Sequence, residues 1–314
     1  MKKTTPLKIL LAGGAVYAAA EALLFYEIMD RKATIPTKAF EAVIKKIEPA
    51  IKSDDERLTW FNEQEFEDFE IKNKDGHKLK AHFLKADEPS DKYIVCAHGY
   101  RSSGKGEFRF ISKFLHESGF NILLVDHRAS GDSEGKYLTF GYKEAEDLLL
   151  WVQYLVDFFG DEIKIGLYGI SMGCATVTTM CGSYNLPENV KFAVADCGYT
   201  SAKDEFEYNL KKVHLPSAPI IGTVDLINKA FSGCYICEMS PLSTLKYSKT
   251  PMLFIHGGKD DFVPTAMVYR LFDACSAPKD IYIAPGAGHA ESYQRCSDEY
   301  EKKFIEFSDK YIKE

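Results

Sequence analysis

Apolar and polar positions along the chain fall into three regimes. Residues 9–26 (ILLAGGAVYAAAEALLFY) are uncharged except for Glu21, and Lys2, Lys3 and Lys8 precede them. Within 38–51, Phe40, Val43, Ile44 and Ile47 recur at the spacing of an amphipathic helix. From about residue 63 onward, short apolar runs alternate with longer stretches of helical period. The runs at 66–71 and 79–83 read as strands joined across Lys74-Asp75-Gly76, where Asp-Gly suits a tight turn. Further strands are predicted at 93–97, 121–126, 163–168, 192–196, 252–256 and 281–284. Helices are predicted at 106–117, 142–159, 172–183, 265–274 and 297–312. This alternation implies an α/β fold with a mainly parallel central sheet and helices on both faces. In such sheets ligands bind beyond the carboxyl ends of the strands.

One stretch breaks the rhythm. Residues 198–249 separate two strands that a plain crossover joins in half that length, and they include Pro216, Pro219 and Pro241. An insertion of this size at the ligand-binding edge is usually functional, so it is expected to cap the site. The chain therefore divides into an N-terminal segment (1–30), a linker with a helix (31–62), and a domain (63–314) that includes the cap insertion.

The N-terminal run has three possible readings. Eighteen residues at the helical rise span about 27 Å, close to the thickness of a hydrocarbon core. With its basic start, the run fits an uncleaved signal anchor. Ala18-Ala19-Ala20 also offers small residues for a cleaved secretory signal. The plainest reading is an Ala-rich helix lying on the domain surface. Arg31, Lys32 and Lys38 follow the run closely, so the positive-inside rule favours only slightly a cytoplasmic N-terminus. The expectation is a membrane-anchored protein whose domain faces outside the cytoplasm, with secreted or cytoplasmic placement as alternatives.

Composition narrows the partners. The 314 residues hold 39 Lys+Arg and 46 Asp+Glu, a formal charge of −7, without a basic cluster to grip a phosphate backbone. Nucleic acid is not an expected partner. Of the eight cysteines, Cys234 and Cys237 form a lone C-x-x-C without the four ligands a zinc site needs. Neither a metal nor a cofactor is expected, although an exported domain permits a disulfide.

The candidate chemistry lies at strand ends. Gly169-Ile170-Ser171-Met172-Gly173 follows an apolar strand and opens an apolar helix, the context in which G-x-S-x-G forms a nucleophile elbow. A serine hydroxyl needs a base. His289, in the Gly-rich loop after the last strand, stands where the chain order Ser…Asp…His places one. Asp260 is the expected orienting carboxylate, selected over Asp261 by the frame H-G-x-x-D-x-x-V-P. The backbone N–H groups of Met172 and Tyr100 are the candidate oxyanion-hole donors. His98 and His256 also end strands and read as loop-shaping residues, whereas His77, His82 and His116 read as surface positions. In the insertion, Asp204, Glu205, Glu207 and Asp225 are available to hold a substrate amine, but a solvated surface is expected for them.

These residues resemble the α/β-hydrolase superfamily, in particular its serine aminopeptidase-like and monoglyceride lipase-like branch. The resemblance covers about residues 60–310. Asp126 to Gly135 (DHRASGDSEG) is similar to the branch's D-x-R-x-x-G-x-S-x-G loop, with Ala129-Ser130 replacing the commoner Gly-His. The segments 196–201 and 289–293 resemble a subgroup of bacterial hydrolases that often carry an N-terminal hydrophobic segment. The resemblance implies the α/β-hydrolase fold, a Ser171–Asp260–His289 triad and acyl-enzyme chemistry on a small ester or acyl substrate. The expected activity is that of a carboxylesterase. Alternatives on the same fold are a peptidase or amidase, a thioesterase, or a catalytically idle binding scaffold.

Overall fold

The computed structural model describes Tyr26, residues 28–32 and residues 55–313. The apolar run through residue 25 and the helix expected at 38–51 lie outside the described residues. Eight strands form one sheet: β1 (Glu67–Lys72), β2 (Lys78–Leu84), β3 (Lys92–Ala97), β4 (Asn121–Val125), β5 (Lys164–Ile170), β6 (Val190–Asp196), β7 (Met252–Gly257) and β8 (Lys279–Ala284). Their order is β1-β2-β4-β3-β5-β6-β7-β8, with β1 and β2 antiparallel and the rest parallel. Every strand expected from the apolar runs is present.

Two cores follow from the two-residue period of the strands. Tyr93, Val95 and Ala97 of β3 point to one face, where they join Leu148, Trp151 and Leu155 of α4 (Tyr142–Phe159). Ile94 and Cys96 point to the other, where they join Phe304 and Phe307 of α11 (Ser297–Ile312). The second face is completed by α1 (Glu56–Asn62), α2 (Gly104–Phe108) and α3 (Ser112–Glu117).

Two helical expectations change. The helix expected at 106–117 is two short helices, α2 and α3, separated at residues 109–111. Phe108, Phe110 and Ile111 are all buried. Positions 108 and 110 lie about 200° apart on a continuous helix, so the break lets all three enter the core. In the expected linker, residues 56–62 form α1: Asp55 accepts the Arg57 N–H as N-cap, and Phe61 buries.

Helix α5 (Met172–Ser183) starts at the carboxyl end of β5 and packs along the sheet face it shares with α4, and the 198–249 insertion folds as α6 (Ala202–Lys212), α7 (Ser217–Ser232) and the short α8 (Pro241–Thr244), the last lying against the end of α5. The remaining helices are α9 (Ala266–Ala274) and α10 (Ser292–Arg295). Residues 28–32 also pack on this body. Met29 is fully buried, Asp30 bridges Tyr137, and the Tyr100 hydroxyl donates to the Ile28 carbonyl at 2.6 Å. Among the described residues no helix is long and apolar enough to cross a membrane.

Candidate active site

Ser171 sits between β5 and α5 with φ 56° and ψ −115°, a strained conformation for a residue with a side chain. The surrounding glycines make it possible. A Cβ at Gly169 would stand 2.2 Å from the Gly173 carbonyl oxygen, and one at Gly173 only 1.8 Å from the Ala97 carbonyl oxygen. Neither position tolerates a side chain without moving backbone. The turn is held by the Ser171 N–H, which donates to the Asp196 carbonyl of β6 at 2.9 Å, and by the Ala175 N–H, which donates to the Ser171 carbonyl.

The loops after β7 and β8 are stitched together. The Gly258 N–H donates to the Ala284 carbonyl and the Lys259 N–H to the Ala287 carbonyl. Gly257 lies so close to the next loop that a Cβ there would be 2.3 Å from the Gly288 carbonyl oxygen. This stitching sets Asp260 and His289 side by side. His289 Nδ1 donates to Asp260 Oδ2 at 2.7 Å, and its Nε2 stands 2.9 Å from Ser171 Oγ, in position to accept the hydroxyl proton. The structure thus brings together the three side chains expected from sequence, each beyond the carboxyl end of a different strand.

Asp260 is distinguished from its neighbour by environment. It is buried, and its Oδ1 accepts the N–H groups of Phe262 and Val263. Burial works against its charge, but attraction to His289 and hydrogen bonds from His256 and His289 outweigh it and hold the carboxyl well below the usual range. Asp261 is exposed and lies 3.7 Å from the Lys212 ammonium. For His289, burial favours the neutral ring, yet the Asp260 carboxylate dominates and raises its pKa above the ordinary value.

Met172 opens α5 directly after Ser171 and is buried. Tyr100 lies in the loop after β3, where Gly99 approaches the serine closely: a Cβ there would be 3.4 Å from Ser171 Cβ. His98 shapes this loop as expected. Its Nδ1 donates to the Gly99 carbonyl at 2.7 Å, and its Nε2 accepts the His127 N–H. The D-x-R loop is braced by Asp126, whose Oδ1 accepts from Gly104 and Oδ2 from Asp132. Gly131, at φ 49°, lies where a Cβ would meet that carboxylate at 2.1 Å. Ala129 takes a left-handed conformation, φ 58°, at the place where the family's commoner residue is glycine.

Several expectations are corrected. His82 and His116 are buried rather than at the surface: His82 Nδ1 contacts Asp68 at 2.6 Å, and His116 Nε2 donates to the Lys85 carbonyl. His256 does more than shape its loop, because its Nε2 lies 3.2 Å from Asp260 Oδ2 as well as 2.9 Å from the Val263 carbonyl. Of the four acidic residues named in the insertion, Glu205 is not solvated. It is 9% exposed, and its Oε1 accepts from Asn209 at 2.6 Å. Among the described residues its Oε2 has no partner. Burial pushes this carboxyl up to about 8. Asn209 also donates to the Phe262 carbonyl, and the Phe262 ring lies 5.0 Å from that of His289. In sequence Glu205 reads as one of a polar helix's many acids; only packing singles it out. Cys234 is buried and Cys237 exposed, and all eight cysteines are free thiols.

The chain is similar to known proteins along most of its length. The model of the prolyl oligopeptidase family matches residues 107–314. The uncharacterized protein YqkD of Bacillus subtilis is 30% identical over 305 residues, covering 96% of this chain and 97% of its own. The uncharacterized membrane protein YNL320W of Saccharomyces cerevisiae is 23% identical over 72% of this chain and 74% of its own. Among solved structures, the Pyrococcus furiosus esterase Pf2001 superposes with a TM-score of 0.65 at 26% identity, over 84% of this chain and 97% of the esterase.

Proposed function

The chain belongs to the prolyl oligopeptidase family and is a serine hydrolase of the α/β-hydrolase fold, and from that premise we propose that it cleaves a carboxylic ester through an acyl-enzyme. The observation that carries this reading is the unbroken relay from Ser171 Oγ to His289 Nε2 at 2.9 Å and from His289 Nδ1 to Asp260 at 2.7 Å. Ser171 Oγ attacks the acyl carbon while His289 Nε2 takes the hydroxyl proton. The imidazolium so formed is stabilised by the ionised Asp260. The Met172 and Tyr100 N–H groups receive the developing oxyanion, a role in which one donor typically contributes about 2.7–4 kcal/mol. His289 then returns its proton to the leaving alcohol, and water repeats the sequence to release the acid. The esterase among the structural relatives supports the choice of ester over amide.

Residues 198–249 serve as the cap, with α6 and α7 over the site. The apolar run at 9–26 is an uncleaved anchor that tethers the domain to a membrane facing outside the cytoplasm; the description of the yeast relative as a membrane protein supports the tether.

The test of the central reading is labelling by a fluorophosphonate probe, which reacts with activated serines. Wild-type protein is expected to label and to turn over p-nitrophenyl esters, and Ser171→Ala to do neither while melting at the same temperature. Equal labelling of the two proteins would reject Ser171. A second reading, aminopeptidase or amidase activity, is favoured by the buried Glu205, whose Oε2 has no partner among the described residues and whose carboxyl would ionise on pairing with a substrate ammonium. Aminoacyl nitroanilides separate the readings, since a peptidase would turn them over readily where an esterase would not, and Glu205→Gln would raise KM for them alone.

A further inference from the structure

Helix α7 has apolar residues on both its inner and its outer side. Ile220 and Val224 are buried on the inner side, in the same cluster as Met172, the residue after Ser171. On the opposite side Ala218, Gly222, Leu226 and Ala230 follow one another every four residues, and all are exposed. Leu226 is 66% exposed, and Leu215, just before the helix, is 46% exposed. The helix contains two charged residues, Asp225 and Lys229, and both are engaged locally: Asp225 accepts the Cys237 N–H and Lys229 donates to the Gly233 carbonyl. A helix at a water interface normally turns its charged residues outward. A line of exposed apolar residues is instead the mark of an interaction surface.

What covers this surface follows from where the apolar run ends. The Tyr26 carbonyl, at the last residue of that run, accepts the Asp30 N–H at 3.0 Å in a helical turn. Met29 is buried in the same cluster as Ile220 and Val224. Asp30 bridges Tyr137, whose ring lies 5.8 Å from that of Phe231 at the carboxyl end of α7. From Tyr26 to Met29 is three helical steps, about 4.5 Å. A bilayer that receives residues 9–26 therefore begins within about one helical turn of the cap.

We propose that the outward face of α7 lies in the headgroup–acyl boundary of a phospholipid bilayer, and that the acyl substrate reaches Ser171 from that lipid rather than from water. The seating of α7 stands on the surface itself; the entry route rests on the ester reading above. Helices lying in this boundary bury an apolar face while their length runs parallel to the membrane.

The experiment uses the full chain in phosphatidylcholine–phosphatidylglycerol vesicles. Leu226→Trp is compared with Phe158→Trp by fluorescence quenching with brominated phosphatidylcholine. Phe158 is 58% exposed near the carboxyl end of α4, where its neighbour Phe159 packs on Tyr93 at the start of β3, away from the cap end of the sheet. The native Trp60 and Trp151 are common to both variants. The added fluorescence of Leu226→Trp is expected to be quenched at least twofold more than that of Phe158→Trp. Equal quenching overturns the lipid contact and leaves the face to residues 9–25 or to a second copy of the chain. In a second arm, the double variant Leu215→Glu with Leu226→Glu is expected to lose at least fivefold in turnover of a vesicle-borne long-chain p-nitrophenyl ester and to keep its turnover of p-nitrophenyl acetate. Equal effects on both esters overturn the entry route. A full chain that quenches as expected but hydrolyses no ester counts against the ester reading and leaves the seating of α7 intact.

Discussion

Asp260 and Asp261 are adjacent in the chain, yet only Asp260 meets the imidazole. The difference comes from the loop after β7, which turns Asp260 inward to accept two backbone N–H groups and leaves Asp261 in solvent. Asp260→Asn is expected to lower kcat by roughly four orders of magnitude, as loss of the orienting carboxylate does in a serine triad; Asp261→Asn is expected to change it less than about twofold. Steady-state kinetics on a short ester ranks the two, and the reverse ranking removes Asp260 from the mechanism. The pH profile follows from the same contact. His289 must be neutral to accept the serine proton, and its pKa is raised above the ordinary value because the attraction of Asp260 outweighs the opposing effect of burial. Activity is therefore low in acid and rises with pH, with a midpoint above about 6.5. A profile flat from pH 5 to 8, where chemistry limits the rate, would exclude His289 as the base. In Asp260→Asn the midpoint of any residual activity falls, because the charge that favours imidazolium is gone.

At the scale of elements, one buried cation ties three of them together. Arg128, in the loop after β4, makes two hydrogen bonds of 2.7 Å to Asp147 on α4 and one of 2.6 Å to Asp75 in the β1–β2 turn. Asp147 is itself buried, and burial raises its pKa against the lowering effect of Arg128. Removing only the cation leaves a carboxylate without its counterion. Arg128→Met is expected to cost about 3–5 kcal/mol, a fall in melting temperature of roughly 10 °C for a domain of this size. Arg128→Met combined with Asp147→Leu is expected to recover most of that loss, since the pair then vanishes together. If the double variant melts no higher than the single one, the ion pair is not the source of the effect. The D-x-R spacing made Arg128 visible in the sequence, but its partners, 19 and 53 residues away, were not. The same limit governs the rest of the site. Ser171, Asp260 and His289 were legible because each occupies a fixed place at a strand end, where glycines mark the turns. Glu205, His82 and His116 were misjudged because burial of a polar group depends on partners that only the assembled sheet supplies. The 106–117 helix was misjudged because a local apolar period cannot register that Phe108, Phe110 and Ile111 must all reach the same core from one short segment.

At the scale of the whole molecule, the domain begins earlier in the chain than the sequence pattern suggests. A cut after residue 30 looks harmless from the apolar run alone, but it removes Met29, which is fully buried, and the Ile28 carbonyl that accepts the Tyr100 hydroxyl. Burial of one Met side chain is worth about 1.5–3 kcal/mol, and Tyr100 belongs to the loop that faces Ser171. A chain lacking residues 1–25 is therefore expected to keep the melting temperature and the p-nitrophenyl acetate turnover of the detergent-extracted full chain. A chain lacking residues 1–32 is expected to melt several degrees lower and to lose turnover, because the loop bearing the Tyr100 N–H is no longer braced. The full chain is expected to sediment with membranes and to stay there in 1 M salt, where the screening length is about 3 Å and a purely electrostatic attachment is released. The chain lacking residues 1–25 keeps the apolar face of α7 but not the run, so it is expected to bind vesicles weakly and reversibly. Equal retention of the two chains at high salt would show that residues 9–25 do not anchor the protein, and loss of both would assign the run to the domain surface.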